Sequence, residues 1–234
     1  MRILVADDDL VSRIAMEDVL RQCGAPDCVL VEDGTAAWQQ LQGEAFFDLL
    51  CLDLRMPPPD GLALLARVRA APGLGRLPAL LVTASADRDA VLAADRAELQ
   101  GFLVKPVGAE TIPRIRRVLA QLDAGILEDV ATACARLRID AARHARYVAA
   151  LMQQLQLLAG LAPEPARAPF AQRADACRTA ALTLGAPRIE QLVADALALH
   201  AAGDPGAGHC LAQARYWLAR VHGRAGRLPA QQQP

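Results

Sequence analysis

The feature that most constrains the fold of this chain is a short apolar run that ends in an aspartate, from Leu49 to Asp53. The run is followed closely by the turn-forming stretch Pro57-Pro58-Pro59. An apolar run this short, bounded by turn residues, is typical of a strand buried on both faces, as in a parallel sheet. Because open α/β sheets bind ligands at the carboxyl ends of their strands, we predict that Asp53 lies in a functional cleft.

Strand and helix patterns alternate through the first half of the chain. We predict strands at 3–6, 28–31, 47–52, 79–83 and 101–104, and helices at 10–22, 35–41, 62–70, 87–99 and 112–122. In the first helix, Leu10, Ile14, Val19 and Leu20 are placed roughly on one apolar stripe. This alternation predicts an α/β fold, a doubly wound sheet of five parallel strands. Right-handed crossovers would bring all five carboxyl ends to one edge.

That edge gathers the polar residues that could do chemistry. Asp7 and Asp8 follow the first strand, Asp53 ends the third, Thr83 ends the fourth and Lys105 ends the fifth. Carboxylates that converge in one cleft repel each other unless a cation neutralises them. Oxygen ligands without histidine or cysteine suit a hard divalent ion, most simply Mg²⁺. The lysine would supply an opposing charge, and the threonine hydroxyl could donate a hydrogen bond to a phosphoryl oxygen.

Four segments at these strand ends resemble the motifs of response regulator receiver domains in two-component signalling. They are residues 3–9, 53–61, 82–84 and 102–106. The resemblance covers residues 1–122 and is specific, because four motifs occur in the right order, each at a predicted strand end.

The resemblance implies a phosphoacceptor site. Asp7, Asp8 and Asp53 would hold Mg²⁺, with the backbone carbonyl of Arg55 completing the site. Asp53 would accept a phosphoryl group from a sensor histidine kinase or a histidine phosphotransfer (HPt) protein. Such a chain is a signalling phosphoacceptor that assists its own phosphorylation, rather than an enzyme with an external substrate.

The resemblance also implies a conformational switch. Thr83 would move toward the phosphoryl group, and Phe102 would be the aromatic switch residue. The Lys105-Pro106 peptide bond is expected to be cis, an isomer open to X-Pro bonds.

The composition changes after residue 122. Residues 128–228 contain twelve arginines, eight acidic residues and no lysine. Apolar residues at positions 170, 174, 177, 181 and 184 have the spacing of a helical bundle seam. We predict a linker at 123–127 with a short joint at Asp123–Gly125, an antiparallel bundle of four main helices at 128–228, and a tail at 229–234.

Residues 175–186 resemble the central helix of HPt domains, which carries the phosphorylated histidine. The Leu-Gly-Ala end of that motif is present. Asp175 stands in place of the histidine, Arg178 in place of a lysine and Thr179 in place of a glycine. We therefore predict a degenerate HPt-like domain that keeps the scaffold without the transfer chemistry. The alternative for Asp175 and Arg178 is a surface ion pair of a few tenths of a kcal/mol.

Several outputs are compatible with this organisation. The helical domain could dock a downstream protein, a second copy of the chain in a homodimer, or its own receiver domain, which it would silence. A DNA-binding transcriptional regulator is a rival, although no helix-turn-helix with a basic recognition helix is evident. An active phosphorelay protein would need a relocated histidine, such as His144. His200 and His209 are interpreted as structural, because no metal-ligand spacing surrounds them.

The composition favours a cytoplasmic protein. The six cysteines form no CxxC pair, and no apolar run approaches the ~20 residues of a membrane span. The formal net charge of -1 is not basic enough to imply a nucleic-acid partner by itself. The amino terminus leads directly into the first predicted strand, so no signal peptide is expected.

Overall fold

Five parallel strands form the centre of the first half of the chain in a computed structural model, which describes residues 1–43, 45–84, 99–162 and 169–225. The chain divides into two compact units, Met1–Leu122 and Asp123–Pro234. The strands are β1 (Arg2–Ala6), β2 (Asp27–Val31), β3 (Leu49–Asp53), β4 (Ala79–Thr83) and β5 (Leu99–Val104). Their order in the sheet is β2-β1-β3-β4-β5, so the predicted α/β fold class is confirmed.

Four helices accompany these strands in the described part of the first half. They are α1 (Leu10–Gln22), α2 (Gly34–Gln42), α3 (Gly61–Ala70) and α4 (Ile112–Ile126), the last preceded by a short 3₁₀ turn at Ala109–Thr111. Asp9, Asp33 and Asp60 cap the first three, each accepting a hydrogen bond from the backbone N–H three residues later. Such caps satisfy a donor that the first helical turn leaves unpaired. The predicted helix at 87–98 lies outside the described residues.

The core of the first unit follows from the strand sequences. Every residue of β3 and of β4 is buried, as continuous apolar runs in a parallel sheet require. Four of the five strands differ in their bounds from the prediction. β1 and β2 each begin one residue earlier, and β3 begins two residues later and ends one residue later. β5 begins at Leu99, which we had placed at the end of a helix.

Helix α1 buries only part of the stripe that we predicted. Val19 and Leu20 are buried as expected, together with Met16, whereas Leu10 and Ile14 are exposed. The prediction was wrong for Leu10 and Ile14, because nine residues, at about 3.6 per turn, place Leu10 and Val19 on opposite sides of a helix.

The second unit is all helical in its described part. After the end of α4 it contains α5 (Val130–Leu137), α6 (Ala141–Ala159), α7 (Pro169–Thr183), α8 (Pro187–Ala201) and α9 (Gly206–Ala225). The joint expected at Asp123–Gly125 is instead the last turn of α4. Arg220 Nη1 forms an ion pair with Asp123 Oδ1 at 2.5 Å. A Cβ on Gly125 would lie 3.1 Å from Arg188 Nε. These contacts with α8 and α9 explain why the helix continues.

The predicted seam of α7 is confirmed, because all five of its residues are buried: Phe170, Ala174, Cys177, Ala181 and Leu184. Gly185 ends this helix with a φ of +69°, as expected of a glycine stop. A Cβ there would lie 2.6 Å from Glu128 Cβ, so the position also requires glycine for space. On α6, the side chains of Val148, Leu151, Leu155 and Leu158 are buried, whereas Tyr147 is 46% exposed. Among the described residues, no helix is long and apolar enough to cross a membrane.

Candidate functional site

The sheet topology brings three aspartates to one edge. β1 and β3 are hydrogen-bonded neighbours with Ala6 opposite Leu52, so Asp7 and Asp53 emerge side by side. Asp7, Asp8 and Asp53 each offer a carboxylate oxygen, and these oxygens lie within 4.8 Å of one another. Asp7 and Asp53 are about 95% buried, and Asp8 is exposed. Oxygen donors of this kind and number fit a hard divalent cation.

Lys105 joins this cluster from the end of β5. Its Nζ lies 2.7 Å from Asp7 Oδ2 and 2.9 Å from Asp53 Oδ2. Its backbone N–H donates to the Thr83 carbonyl at 2.7 Å, which fixes the end of β5 against β4. The lysine therefore bridges two buried carboxylates that would otherwise repel each other.

Burial and charge act in opposite directions on these groups. Burial raises the pKa of Asp7, although hydrogen bonds from Lys105 and from the Asp9 backbone oppose this. Burial by itself would lower the pKa of Lys105, but its hydrogen bonds to Asp7 and Asp53 together outweigh burial and raise it. The ammonium group is thus held charged beside the carboxylates.

The remaining predicted residues lie around this cluster. Thr83 is the last residue of β4 and is buried, and Phe102 lies on β5 opposite Leu81 and is partly buried. The Arg55 backbone N–H donates to Asp53 Oδ1 at 3.4 Å. The Lys105-Pro106 bond is cis, as expected. The switch roles and the carbonyl ligand remain predictions.

Two residues that position the cluster were missed in the sequence. Arg13 on α1 donates from Nη1 to the Asp7 carbonyl oxygen, and the Asp9 backbone N–H donates to Asp7 Oδ1 at 3.0 Å. The Asp9-to-Ser12 spacing is a helix-capping signal that could have revealed the role of Asp9. No comparable sequence signal indicates that the Arg13 side chain contacts the Asp7 carbonyl oxygen.

Comparison with known proteins agrees with this geometry. The family model for the response regulator receiver domain matches residues 3–116. Chemotaxis protein CheY of Pseudomonas aeruginosa is 38% identical over 112 residues, which are 48% of this chain and 90% of that protein. The chain belongs to the response regulator receiver family. The receiver domain occupies the first unit.

Further similarities are of the same kind. Chemotaxis protein CheY-3 of Vibrio cholerae is 35% identical over 112 residues, covering 48% of this chain and 85% of that protein. The crystal structure of Vibrio cholerae chemotaxis protein CheY4 is 26% identical with a TM-score of 0.46, covering 50% of this chain and 97% of that chain.

The helical unit places its three predicted residues on the surface of α7. The Asp175 side chain is 65% exposed and lies 3.5 Å from Arg178, which pairs more closely with Glu190 at 2.8 Å. The Thr179 hydroxyl donates to the Asp175 carbonyl at 3.0 Å. Thus the expected ion pair exists, but Glu190, which we had not considered, is the nearer partner of Arg178.

The histidines of the helical unit are mostly enclosed. His144 is 3% exposed, and its Nε2 has no hydrogen-bond partner among the described residues. His200 stacks on Phe170 with ring centroids 3.8 Å apart, and its Nδ1 lies 3.3 Å from the Ala162 carbonyl oxygen. Burial of His144 argues against the alternative in which it relays a phosphoryl group, because a donor cannot reach its ring.

These buried histidines predict a loss of stability in acid. Burial lowers the pKa of both His144 and His209 below the ordinary value near about 6.5. As pH falls through about 6.5, the unfolded chain gains protons that the folded helical unit resists. We expect the urea midpoint of this unit to fall between about pH 7.5 and pH 5.5. Fluorescence of Trp217 in a Trp38→Phe background would measure it.

The matched variant is His144→Leu, which removes one titrating group. Its urea midpoint should depend less on pH than that of the parent. An equally steep pH dependence in the two proteins would exclude His144 as a cause.

Proposed function

We propose that this chain is a two-component response regulator in which Asp53 accepts a phosphoryl group. The observation that carries the proposal is the cluster in which Lys105 Nζ bridges Asp7 and Asp53 beside Asp8. The phosphodonor would be a sensor histidine kinase or an HPt protein. In the transfer, the bond from phosphorus to the donor atom breaks, its electron pair leaves on the donor, and an Asp53 oxygen forms the new bond.

Each surrounding group has a part in this chemistry. Asp7, Asp8, Asp53 and the Arg55 carbonyl would hold Mg²⁺, which when bound screens the negative charge of the phosphoryl oxygens. Lys105, in contact with Asp53, supplies a second positive charge. Thr83, at the end of β4, donates its hydroxyl to a phosphoryl oxygen, and Phe102 changes position with it.

The helical unit, in this proposal, is a degenerate HPt domain that passes the signal on by contact. Asp175 is exposed on α7 and, among the described residues, belongs to no carboxylate cluster that could hold a metal ion. It cannot form a phosphohistidine, and Arg178, 3.5 Å away, is paired more closely with Glu190. Differential binding to two receiver states limits the energy transmitted to a few kcal/mol.

Labelling by acetyl phosphate tests the acceptor. We expect the intact mass to increase by one phosphoryl group in Mg²⁺, with the label on the peptide containing Asp53 and none in excess EDTA. The control variant Asp175→Asn should be labelled to the same extent as the parent protein. Phosphate found on Asp175, or on no residue, would overturn the proposal.

Gly61 provides a second test, because it lies against the acceptor. A Cβ on this residue, the first of α3, would be 2.2 Å from the Asp53 carbonyl oxygen. Gly61→Ala must therefore displace the backbone of Asp53 or of α3, at a cost of about 1–3 kcal/mol. We expect a lower urea midpoint and slower labelling of Asp53.

The control for this variant is Gly223→Ala in α9, where a Cβ would meet no atom within 4 Å. Alanine in a helix is favoured over glycine by roughly 0.5–1 kcal/mol, so this variant should be unchanged or more stable. If the two variants had the same urea midpoint and the same rate of Asp53 labelling, close packing at Gly61 would not contribute to stability or to the acceptor site.

A further inference from the structure

A groove runs between α6 and α7 on the surface of the helical unit. Tyr147, Leu151 and Gln154 line it from α6, and Ala176, Thr179 and Ala180 line it from α7. It encloses about 480 Å³. The small residues of α7 leave room for another helix to approach closely.

The helices that form this groove carry apolar side chains in contact with solvent: Tyr147 lines the groove itself, and Leu157 lines the adjoining pocket, which shares Gln154 and Ala176 with it. In the described part of the helical unit, the exposed large apolar residues are Tyr147 and Leu157 on α6 and Leu182 on α7. Exposed apolar groups gathered on neighbouring helices mark an interaction surface more often than scattered ones do.

The charges around the groove are positive at both ends. α6 carries Arg143 and Arg146 near its start and contains no acidic residue, and Arg173 lines the other end of the groove. Among the described residues, none of these three arginines has an ion-pair partner. Pairing this surface with itself would bring arginines together in either orientation. Asp140 is engaged in capping α6 and Asp175 lies 3.5 Å from Arg178, so an apolar surface with exposed carboxylates would complement the three arginines.

Helix α1 offers such a surface. Leu10, Val11 and Ile14 are 58%, 73% and 47% exposed. Exposed Asp9 precedes them and exposed Asp18 follows one turn later, while Arg21, farther along the same face, is paired with Glu17 at 2.7 Å. Elsewhere in the described receiver domain, the exposed large apolar residue is Val104, on a strand. The lengths also agree, since at about 1.5 Å per residue Leu10 to Asp18 spans about 12 Å and Tyr147 to Leu157 about 15 Å.

We propose that helix α1 of one copy of the chain docks into the α6–α7 groove of a second copy. The contact is heterologous, because it joins two different surfaces, so each copy keeps one surface available for the next. The docking itself does not require phosphorylation. Its consequence rests on the proposed function: an occupied α1, directly after Asp8 and Asp9, obstructs a protein phosphodonor on its way to Asp53, whereas acetyl phosphate still enters.

Sedimentation velocity of the full chain over a range of concentrations tests the docking. We expect reversible association that weakens as salt increases, because charges at the rim contribute to it. Val11→Lys damages the α1 surface by placing a positive charge against the arginines, and the double variant Arg143→Asp/Arg173→Asp damages the groove. Each should weaken association at least about tenfold. The control Arg117→Asp/Arg138→Asp makes the same charge change at exposed positions away from the groove and should associate as the parent does.

Mixing the two damaged proteins gives the decisive result. The Val11→Lys chain keeps an intact groove and the double variant keeps an intact α1, so together they should form one-to-one pairs and no longer assemblies. Ile14→Lys repeats the test should Val11→Lys fail to fold. A parent chain that stays monomeric, association that the variants do not weaken, or a mixture without pairs would each overturn the proposal. Acetyl phosphate labelling of both variants reports separately on Asp53, so a failure of the acceptor would be distinguishable.

Discussion

The Asp53→Asn protein is expected to take up no phosphoryl group from acetyl phosphate. Asparagine has nearly the same shape as aspartate, but its amide lacks the anionic oxygen that must bond to phosphorus. The variant also leaves Lys105 with only Asp7 of its two carboxylate partners. Intact mass before and after incubation in Mg²⁺ measures the loss of labelling. The loss should be complete, because Asp53 is the carboxylate of the cluster that lies at the end of β3.

The matched control is Asp60→Asn, seven residues along the chain. Asp60 is exposed and caps α3 through its side chain, and asparagine caps helices about as well. This variant makes the same chemical change without touching the cluster, so labelling should persist. Labelling of Asp53→Asn at the parent level would reject Asp53 as the acceptor.

The largest effect on stability is expected from Trp217→Ala in α9. Trp217 is 2% exposed, and the Arg188 guanidinium lies 5.6 Å from its ring centroid. Truncating a buried tryptophan leaves a cavity and typically costs about 3–5 kcal/mol. Since small domains have about 5–15 kcal/mol of stability, the helical unit would lose a large part of its own. Urea unfolding followed by circular dichroism measures this.

Tyr147→Ala is the control within the same unit, because it removes an aromatic side chain that is 46% exposed. Its cost should stay below about 1 kcal/mol. Equal losses in the two variants would mean that Trp217 does not hold the core of the unit together.

Much of the receiver fold could be predicted because its signals are local. The buried runs of β3 and β4 are apolar throughout, and their ends are marked by polar or turn residues. The α7 seam could be predicted equally well, since its alternating spacing of four and three residues continues from Phe170 to Leu184. Errors arose where spacing was judged loosely, as with Leu10 and Ile14, or where a helix end depends on partners far along the chain, as at Asp123.

The candidate site was partly predictable for the same reason. Parallel strands and right-handed crossovers require the strand ends to meet, so Asp7, Asp53 and Lys105 were placed together before any coordinates. The sequence could not show that Lys105 bridges the two buried carboxylates, nor that Arg13 supports Asp7 from α1. Those contacts depend on side chains reaching across elements distant in sequence.

The amino-acid sequence by itself determined the strand–helix alternation, the edge of the sheet where the aspartates gather, and the absence of a histidine at position 175. Only the tertiary structure decided which apolar residues stay uncovered, such as Val11 and Tyr147, and which polar ones are enclosed, such as His144. The physical reason is that periodicity fixes the face of a helix on which a residue lies. What covers that face is fixed by the packing of other elements.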